Sequence, residues 1–300
     1  MVKCKDCGSE NLQKRGFNSN RTKRRVECQD CFAWDSIPVE FFEEKEEEFR
    51  VGVIDIELLP LVAYAWGIYE QNINMGNVIK DTCLLSWAGK YLNSPRIYSD
   101  ILTPEEALNR DAKRITKSAF DFIRTCQVVI GHNWNGYDGK ILNTYFLKHE
   151  QPLKYLTIDT LLVARSNFRF TSNKLKDINN ELGIRNKIDN DGMPLWIACD
   201  KGDKKALDTM LEYNEGDIFS TEELYYRIRG FIPNHPNLAR YTTIEKEQCP
   251  ICLSTELVEE GQYPAGKGMY KSMRCSKCGS LHRFGKNLLS KKKRESLLSQ

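Results

Sequence analysis

The residues best suited to catalysis are two acids, Asp55 and Glu57, in the apolar segment of residues 50–58. Because side chains alternate between the faces of a β-strand, both acids would point one way while Ile54 and Ile56 point the other. Two neighbouring buried charges of one sign are costly unless a partner such as a divalent metal ion neutralises them. The alternative is an exposed edge strand with both acids in water.

Two more acids lie near predicted helices. Asp138 follows the Asn- and Gly-rich turn of residues 131–136 and would lie in the first turn of a helix, at a strand's carboxyl end, where α/β sheets bind ligands. Taken alone, it would be interpreted as a helix cap. Asp217 follows Tyr213 by four residues, so the two share a helix face and the tyrosine hydroxyl could orient a water molecule at a metal. A surface helix with an ordinary acid is the alternative.

Together, these four acids offer the hard oxygen ligands that Mg²⁺ and Mn²⁺ prefer. Two such ions about 4 Å apart can stabilise the attacking and leaving oxygens of a phosphoryl displacement. Asp159 would be either a fifth acid near the site or the N-cap of the next helix. His132 is interpreted as a structural hydrogen-bonding residue rather than a ligand.

Eight of the eleven cysteines occur in four CxxC pairs, the spacing of zinc knuckles. Twenty residues separate the two N-terminal pairs, and 22 residues separate the two C-terminal pairs. Modules this small cannot fold on apolar residues alone, so a structural zinc ion would supply most of their folding energy. The sequence therefore predicts two zinc sites, formed by Cys4, Cys7, Cys28 and Cys31 and by Cys249, Cys252, Cys275 and Cys278.

Basic and aromatic residues accompany both cysteine modules. In the first, Arg24, Arg25 and Trp34 combine cations that neutralise phosphates with a ring that can stack on bases. We predict that these residues bind nucleic acid, although a structural zinc module with a solvated charged face would have the same composition. Two such modules indicate a clamp or tether for an extended polymer, and the basic run at residues 291–294 would add electrostatic attraction.

Composition and charge distribution suggest the domain organisation. The 300 residues are 41% hydrophobic and 28% charged, with a net charge of +3, as in ordinary soluble proteins. Because the N terminus has no apolar signal-like run and no segment is long enough to span a bilayer, we expect a cytoplasmic protein. The expected divisions are a zinc ribbon at 1–37, an acidic linker at 38–49, an α/β domain at 50–240, a second zinc ribbon at 241–286 and a basic tail at 287–300, in which residues 291–294 are expected to be unstructured.

Local patterns predict the elements that would position the acids. A second strand is expected at residues 63–69 and a third within residues 77–87. Thr103, Pro104 and Glu106 form a capping box with proline in the first turn, which predicts a helix continuing to about residue 124.

The acidic motifs, in this order, resemble those of the DEDD, or DnaQ-like, 3′–5′ exonucleases of the ribonuclease H-like superfamily. The first motif matches Asp55-Ile56-Glu57, the second (Asn-x3-Tyr-Asp) matches residues 133–138, and the third (Tyr-x3-Asp) matches residues 213–217. The resemblance covers about residues 50–238. The tyrosine is typical of the DEDDy subgroup, which includes proofreading domains of family B DNA polymerases, and stand-alone phage exonucleases look most similar.

This resemblance implies an α/β fold with a ribonuclease H-like mixed five-stranded sheet, flanking helices and a central Asp55 strand. It implies a two-metal exonuclease that releases 5′-mononucleotides from the 3′ end of single-stranded or frayed DNA, with Asn133 helping to position the strand. A phage-encoded protein would act in the cytoplasm of the bacterial host. Single-stranded DNA is the expected partner, and a replication or recombination protein is a further candidate.

The resemblance also assigns roles to the catalytic residues. Asp55 would bridge two Mg²⁺ or Mn²⁺ ions, and Glu57 and Asp217 would complete the first site. Asp138 would hold the second ion, and Tyr213 would orient the nucleophilic water.

Three alternatives stay open at this point. The first two are an exoribonuclease and a structure-selective endonuclease on the same fold, since a fold does not determine a substrate. The third is a non-catalytic zinc-ribbon adaptor that binds nucleic acid, against which the four acids argue because a scaffold does not need them.

Overall fold

The computed structural model describes residues 3–18, 22–38, 49–184 and 192–298. The chain divides into two units, Met1–Phe49 and Arg50–Gln300. Most of the predicted acidic linker, at residues 39–48, lies outside the described residues.

The first unit contains one three-stranded antiparallel sheet in the order β1-β2-β3. Cys28 lies at the end of the middle strand and is buried, as is Val26 on the same strand. The strands are β1 (Leu12–Phe17), β2 (Lys23–Cys28) and β3 (Trp34–Pro38).

The second unit begins with a mixed five-stranded sheet and the helices that cover it. Its strands are β4 (Val51–Leu59), β7 (Cys83–Tyr91), β8 (Ile97–Ile101), β9 (Val128–Gly131) and β10 (Leu156–Asp159), with a small separate ladder of β5 (Val62–Ala63) and β6 (Val78–Lys80). The helices are α1 (Pro104–Asn109), α2 (Lys113–Ile123), α3 (Asp138–His149), α4 (Thr160–Asn167), α5 (Leu175–Glu181), α6 (Met193–Asp200) and α7 (Lys204–Ile228).

The sheet order is β10-β9-β4-β7-β8, so the strand that carries Asp55 and Glu57 is central, as expected. β4 is antiparallel to β7 and parallel to β9. Ile54 and Ile56 are buried, whereas the two acids are partly exposed, so the predicted alternation holds over this part of the strand. A bulge then follows between Glu57 and Leu58.

A second zinc-ribbon-like sheet completes the unit. It is antiparallel in the order β11-β12-β13 and packs against the end of α7, where a Cβ on Gly230 would lie 2.5 Å from the Cys278 carbonyl oxygen. The strands, and the short helix that follows them, are β11 (Leu257–Ala265), β12 (Gly268–Cys275), β13 (Leu281–Phe284) and α8 (Lys291–Glu295).

Three local predictions were wrong. The strand expected at 63–69 is limited to the two residues of β5, and an irregular exposed loop follows it. The helix expected from residue 103 to 124 begins with the predicted capping box but divides into α1 and α2, because Arg110 adopts a left-handed conformation with φ of 50°. The basic tail contains α8, which Ser290 caps by accepting a hydrogen bond from the Lys293 amide at 3.2 Å.

A buried ion pair fixes α7 to the sheet. The Lys90 ammonium on β7 pairs with the Glu222 carboxylate on α7, and both side chains are almost wholly buried. The second carboxylate oxygen of Glu222 accepts hydrogen bonds from the Asn93 amide at 3.1 Å and from the Tyr226 hydroxyl at 3.2 Å. This network sets the position of the helix that carries Asp217. No described helix combines the length and hydropathy that spanning a bilayer requires.

Candidate active site and metal centres

Three of the predicted acids converge at the centre of the sheet. Asp55 and Glu57 come from β4, and Asp217 comes from the middle of α7. One carboxylate oxygen from each residue lies within 4.8 Å of the other two, and all three residues are partly buried. Residues 162 positions apart in the chain therefore form one cluster of oxygen ligands.

Asp138, the first residue of α3, is buried beside this cluster. Burial raises the pKa of Asp138 to about 8, and the charges of Asp55 and Glu57 contribute to the increase. The negative charges of Asp55 and Glu57 thus repel a negative charge on Asp138. A divalent cation would offset this repulsion, and hard carboxylate oxygens are the ligands that Mg²⁺ and Mn²⁺ prefer, so the donor set fits the predicted ions.

Tyr213 lies one helical turn before Asp217 on α7, on the same face, as its spacing predicted. Its ring packs edge-on against Trp196 of α6, with the ring centroids 6.0 Å apart. Trp196 could not be identified from the sequence, because this contact joins two consecutive helices whose packing the local pattern does not specify.

Asn214 is a further site residue that sequence reasoning missed. Its side chain is fully buried, and its amide group donates a 2.6 Å hydrogen bond to the Asp55 carboxylate. The Asn214 carbonyl oxygen in turn accepts a 3.1 Å hydrogen bond from the Ser86 hydroxyl on β7. Asparagine has a low helix propensity, so it is an unexpected residue inside a helix. This, together with its position between Tyr213 and Asp217, was the signal from which Asn214 could have been identified as a site residue.

The turn that precedes Asp138 is held by Asp159, which is the N-cap of α4. The Asp159 carboxylate accepts hydrogen bonds from the amides of Asn133 at 3.1 Å and Asn135 at 2.9 Å, besides two from α4. Of the two interpretations of Asp159, the capping one is observed. Its charge nevertheless contributes to the raised pKa of Asp138, after burial and the effects of Asp55 and Glu57.

His132 has the structural role expected for it. Its two ring nitrogens lie 2.9 Å from the Thr160 hydroxyl and 3.0 Å from the Asn173 carbonyl oxygen. Burial lowers the pKa of His132, which favours the neutral ring. The imidazole therefore joins the turn to neighbouring segments.

A buried tryptophan fixes the same turn from within. Trp134 is only 1% exposed and lies between two glycines. A Cβ on Gly139 would lie 2.9 Å from the Trp134 indole nitrogen, and a Cβ on Gly131 would lie 3.0 Å from its ring. Only glycine leaves room for this ring at both positions, so the Asn- and Gly-rich composition serves close packing as well as turn formation.

Both cysteine clusters have the geometry of a tetrahedral zinc site. A tetrahedron with Zn–S bonds of about 2.3 Å has sulfurs about 3.8 Å apart. The measured separations are 3.5 Å for Cys4–Cys31 and Cys7–Cys28, 3.6 Å for Cys249–Cys278 and 3.5 Å for Cys252–Cys275. These distances are far longer than a disulfide bond of about 2.05 Å, and within each cluster all four sulfurs lie within 4.8 Å. Each cluster could therefore hold one zinc ion.

The residues predicted to bind nucleic acid lie on the first sheet. Arg25 on β2 is exposed, and Trp34 at the start of β3 is 55% exposed. Arg24 also lies on β2, opposite Phe17 and Ile37 in the ladders, but its side chain lies outside the described part of the chain. Their role in binding nucleic acid is a prediction from the sequence.

Comparisons with known proteins bear on the fold. A model of the RNase_H superfamily matches residues 86–229, which include Asp138, Tyr213 and Asp217. No curated protein sequence matches the chain significantly. Among solved structures, the chain is similar to the family B DNA polymerase from the hyperthermophilic archaeon Pyrobaculum calidifontis, with 14% identity and a TM-score of 0.45 over 87% of this chain and 37% of the polymerase.

The family model and the sheet topology confirm the predicted fold class. It comprises a ribonuclease H-like mixed five-stranded sheet with flanking helices, and two four-cysteine clusters compatible with zinc ribbons. A ribonuclease H-like fold with clustered acids supports a nuclease, which implies binding of nucleic acid.

Proposed function

We propose that this chain is a metal-dependent 3′–5′ exonuclease that hydrolyses phosphodiester bonds in single-stranded or frayed DNA. The observation that supports this most strongly is the cluster of Asp55, Glu57 and Asp217 within 4.8 Å, on a ribonuclease H-like sheet. The buried Asp138 beside it supplies a fourth acid. Tyr213 in the third motif favours the DEDDy subgroup of these enzymes.

In this proposal, Asp55, Glu57, Asp138 and Asp217 hold two Mg²⁺ or Mn²⁺ ions. When bound, such ions would polarise the phosphodiester and stabilise charge on the attacking and leaving oxygens. Asn214 fixes the orientation of the Asp55 carboxylate through its 2.6 Å hydrogen bond.

The other residues of the site would act on water and on the strand. The Tyr213 hydroxyl would orient the attacking water, and the contact of its ring with Trp196 limits where that hydroxyl can point. Asn133 would help to position the terminal nucleotides, because Asp159 holds the Asn133 backbone in place.

We also propose that each cysteine cluster holds a structural zinc ion and that the first ribbon contributes to substrate binding through Arg24, Arg25 and Trp34. Cations on such a module would neutralise phosphates, which the acidic site repels. The proposed divisions are residues 1–37, 38–49, 50–240, 241–286 and 287–300.

The test of this function is the direction and sugar preference of cleavage. Oligonucleotides labelled at the 5′ end or the 3′ end, as DNA and as RNA, are incubated with the full chain and Mg²⁺ or Mn²⁺. We expect a 5′-labelled DNA ladder that shortens one nucleotide at a time, and immediate release of a mononucleotide from 3′-labelled DNA. Internal cuts would identify an endonuclease, and preferential cleavage of RNA would identify an exoribonuclease.

A further inference from the structure

An exposed apolar loop follows the strand that carries two of the acids. This segment, residues 64–75 between β5 and β6, is called the aromatic loop below, and Glu70 is its one charged residue. Its large side chains project into solvent, with exposed fractions of 74% for Tyr64, 100% for Trp66, 89% for Ile68, 83% for Tyr69 and 77% for Met75. Exposed apolar patches of this kind mark interaction sites in soluble proteins.

The base of the aromatic loop is firmly held, although its side chains are exposed. The Arg110 guanidinium donates hydrogen bonds to the carbonyl oxygens of Pro60, at 2.9 Å, and Asp81. The Asp200 carboxylate, on α6, accepts from Arg110 at 2.6 Å and from Lys80 at 3.1 Å. These contacts connect both ends of the loop to one helix, so the exposed rings stand on a fixed support.

The same helix connects the aromatic loop to the candidate active site. Asp200 is the last residue of α6, and Trp196, one turn earlier, packs against Tyr213. At the other end, Pro60 follows Glu57 by only three residues. The support of the loop is therefore linked to the candidate active site through β4 on one side and α6 on the other.

We propose that the aromatic loop is a stacking platform for unpaired bases of the nucleic-acid strand that enters the active site, an inference that rests on the proposed function. Every base presents a flat π-face on which tryptophan and tyrosine can stack, whatever the sequence. The phosphates are a poor match, because this loop has no cation and the neighbouring site is acidic. Binding at the loop is therefore directed at bases, whereas binding at the ribbons would be directed at phosphates.

This difference in chemistry gives the proposal its test. Binding of fluorescein-labelled oligo-dT is measured with the full chain in an Asp217→Asn background, which prevents hydrolysis, and compared with an abasic oligomer of equal length. We expect Trp66→Ala to weaken oligo-dT binding about 5- to 150-fold, as stacking contributions predict. The affinity for the abasic oligomer should not change, and Trp66→Phe should keep most of the wild-type affinity for oligo-dT.

Two further comparisons make the result specific. Leu147→Ala is the matched control, because Leu147 is 85% exposed on α3 and lies outside the aromatic loop. Trp66→Ala should leave the slope of log affinity against log salt unchanged, whereas Arg25→Ala should reduce it. Binding of oligo-dT should also quench tryptophan fluorescence, and the part of this quenching that comes from Trp66 should be absent in the Trp66→Ala chain.

Three results would overturn the platform: oligo-dT affinity that survives Trp66→Ala, an equal loss on the abasic oligomer, or selective loss of a protein partner. If Trp66→Ala does not change oligo-dT binding while the unsubstituted Asp217 enzyme degrades DNA from the 3′ end, the platform is wrong and the exonuclease stands. If binding depends on the bases and on Trp66 but the unsubstituted chain hydrolyses no nucleic acid, the platform is retained and the exonuclease is rejected.

Discussion

The buried pair of Lys90 and Glu222 offers a prediction about how the catalytic helix is held. The two side chains are 5% and 11% exposed, so replacing Glu222 with glutamine leaves an ammonium group buried without its counter-ion. Removing one partner of a buried pair typically costs about 3–5 kcal/mol. For a unit of this size that corresponds to a melting-temperature decrease of about 6–20 °C.

The neighbouring residue is a matched control. Glu223 is also on α7, but its side chain is 47% exposed and pairs with Arg227 at 3.2 Å on the surface. Exposed pairs of this kind contribute about 0–1 kcal/mol to stability. The urea midpoint of Glu223→Gln should therefore be close to that of the wild-type chain. The same charge change is thus expected to have a several-fold larger effect one position earlier.

A double-mutant cycle separates the pair from its surroundings. Replacing both partners, as in Lys90→Met with Glu222→Leu, removes both buried charges and should restore much of the stability lost in Glu222→Gln. Equal urea midpoints for Glu222→Gln and Glu223→Gln would refute this reasoning. So would a double variant as unstable as the sum of its two single variants.

Three other perturbations have defined outcomes. Because the pKa of Asp138 is raised from 3.8 to about 8, the folded chain keeps a proton that the unfolded chain releases. Without added Mg²⁺ or Mn²⁺, the free energy of unfolding measured in urea should therefore fall as the pH rises from about 4 to about 8. The Asp138→Asn variant should lose most of this pH dependence. Asn214→Ala deletes the 2.6 Å hydrogen bond to Asp55 and should slow hydrolysis about 10- to 100-fold, with unchanged zinc content by elemental analysis. Gly139→Ala places a Cβ 2.9 Å from the Trp134 indole nitrogen and should lower the unfolding free energy by about 1–3 kcal/mol in urea.

The sequence was sufficient for features that depend on local chemistry. The alternation around Asp55 predicted a strand with both acids on one face, and the spacing of Tyr213 and Asp217 predicted one helix face. The capping box at Thr103 is formed as predicted, since its two hydrogen bonds join residues three positions apart. The eight paired cysteines were likewise identifiable from spacing.

Features that depend on long-range contacts could not be predicted. The helix expected after Thr103 divides at Arg110, whose guanidinium binds carbonyl oxygens of Pro60 and Asp81, distant in the sequence. Asn214 became a site residue only when the structure showed its bond to Asp55, 159 positions away. The strand expected at residues 63–69 fails for a related reason, because alternating apolar side chains form a strand only where a neighbouring strand pairs with them.

Dependence of hydrolysis on Mn²⁺ tests the central claim, that the four acids form a catalytic metal site, most directly. Single-turnover degradation of 5′-labelled single-stranded DNA is measured against Mn²⁺ concentration for the wild-type chain, Asp55→Asn and Asp217→Asn. We predict saturable Mn²⁺ dependence for the wild-type chain at constant zinc content, and loss of cleavage in both Asp55→Asn and Asp217→Asn. Cleavage at the wild-type rate in Asp55→Asn, or no cleavage by the wild-type chain at any Mn²⁺ concentration, would contradict the claim.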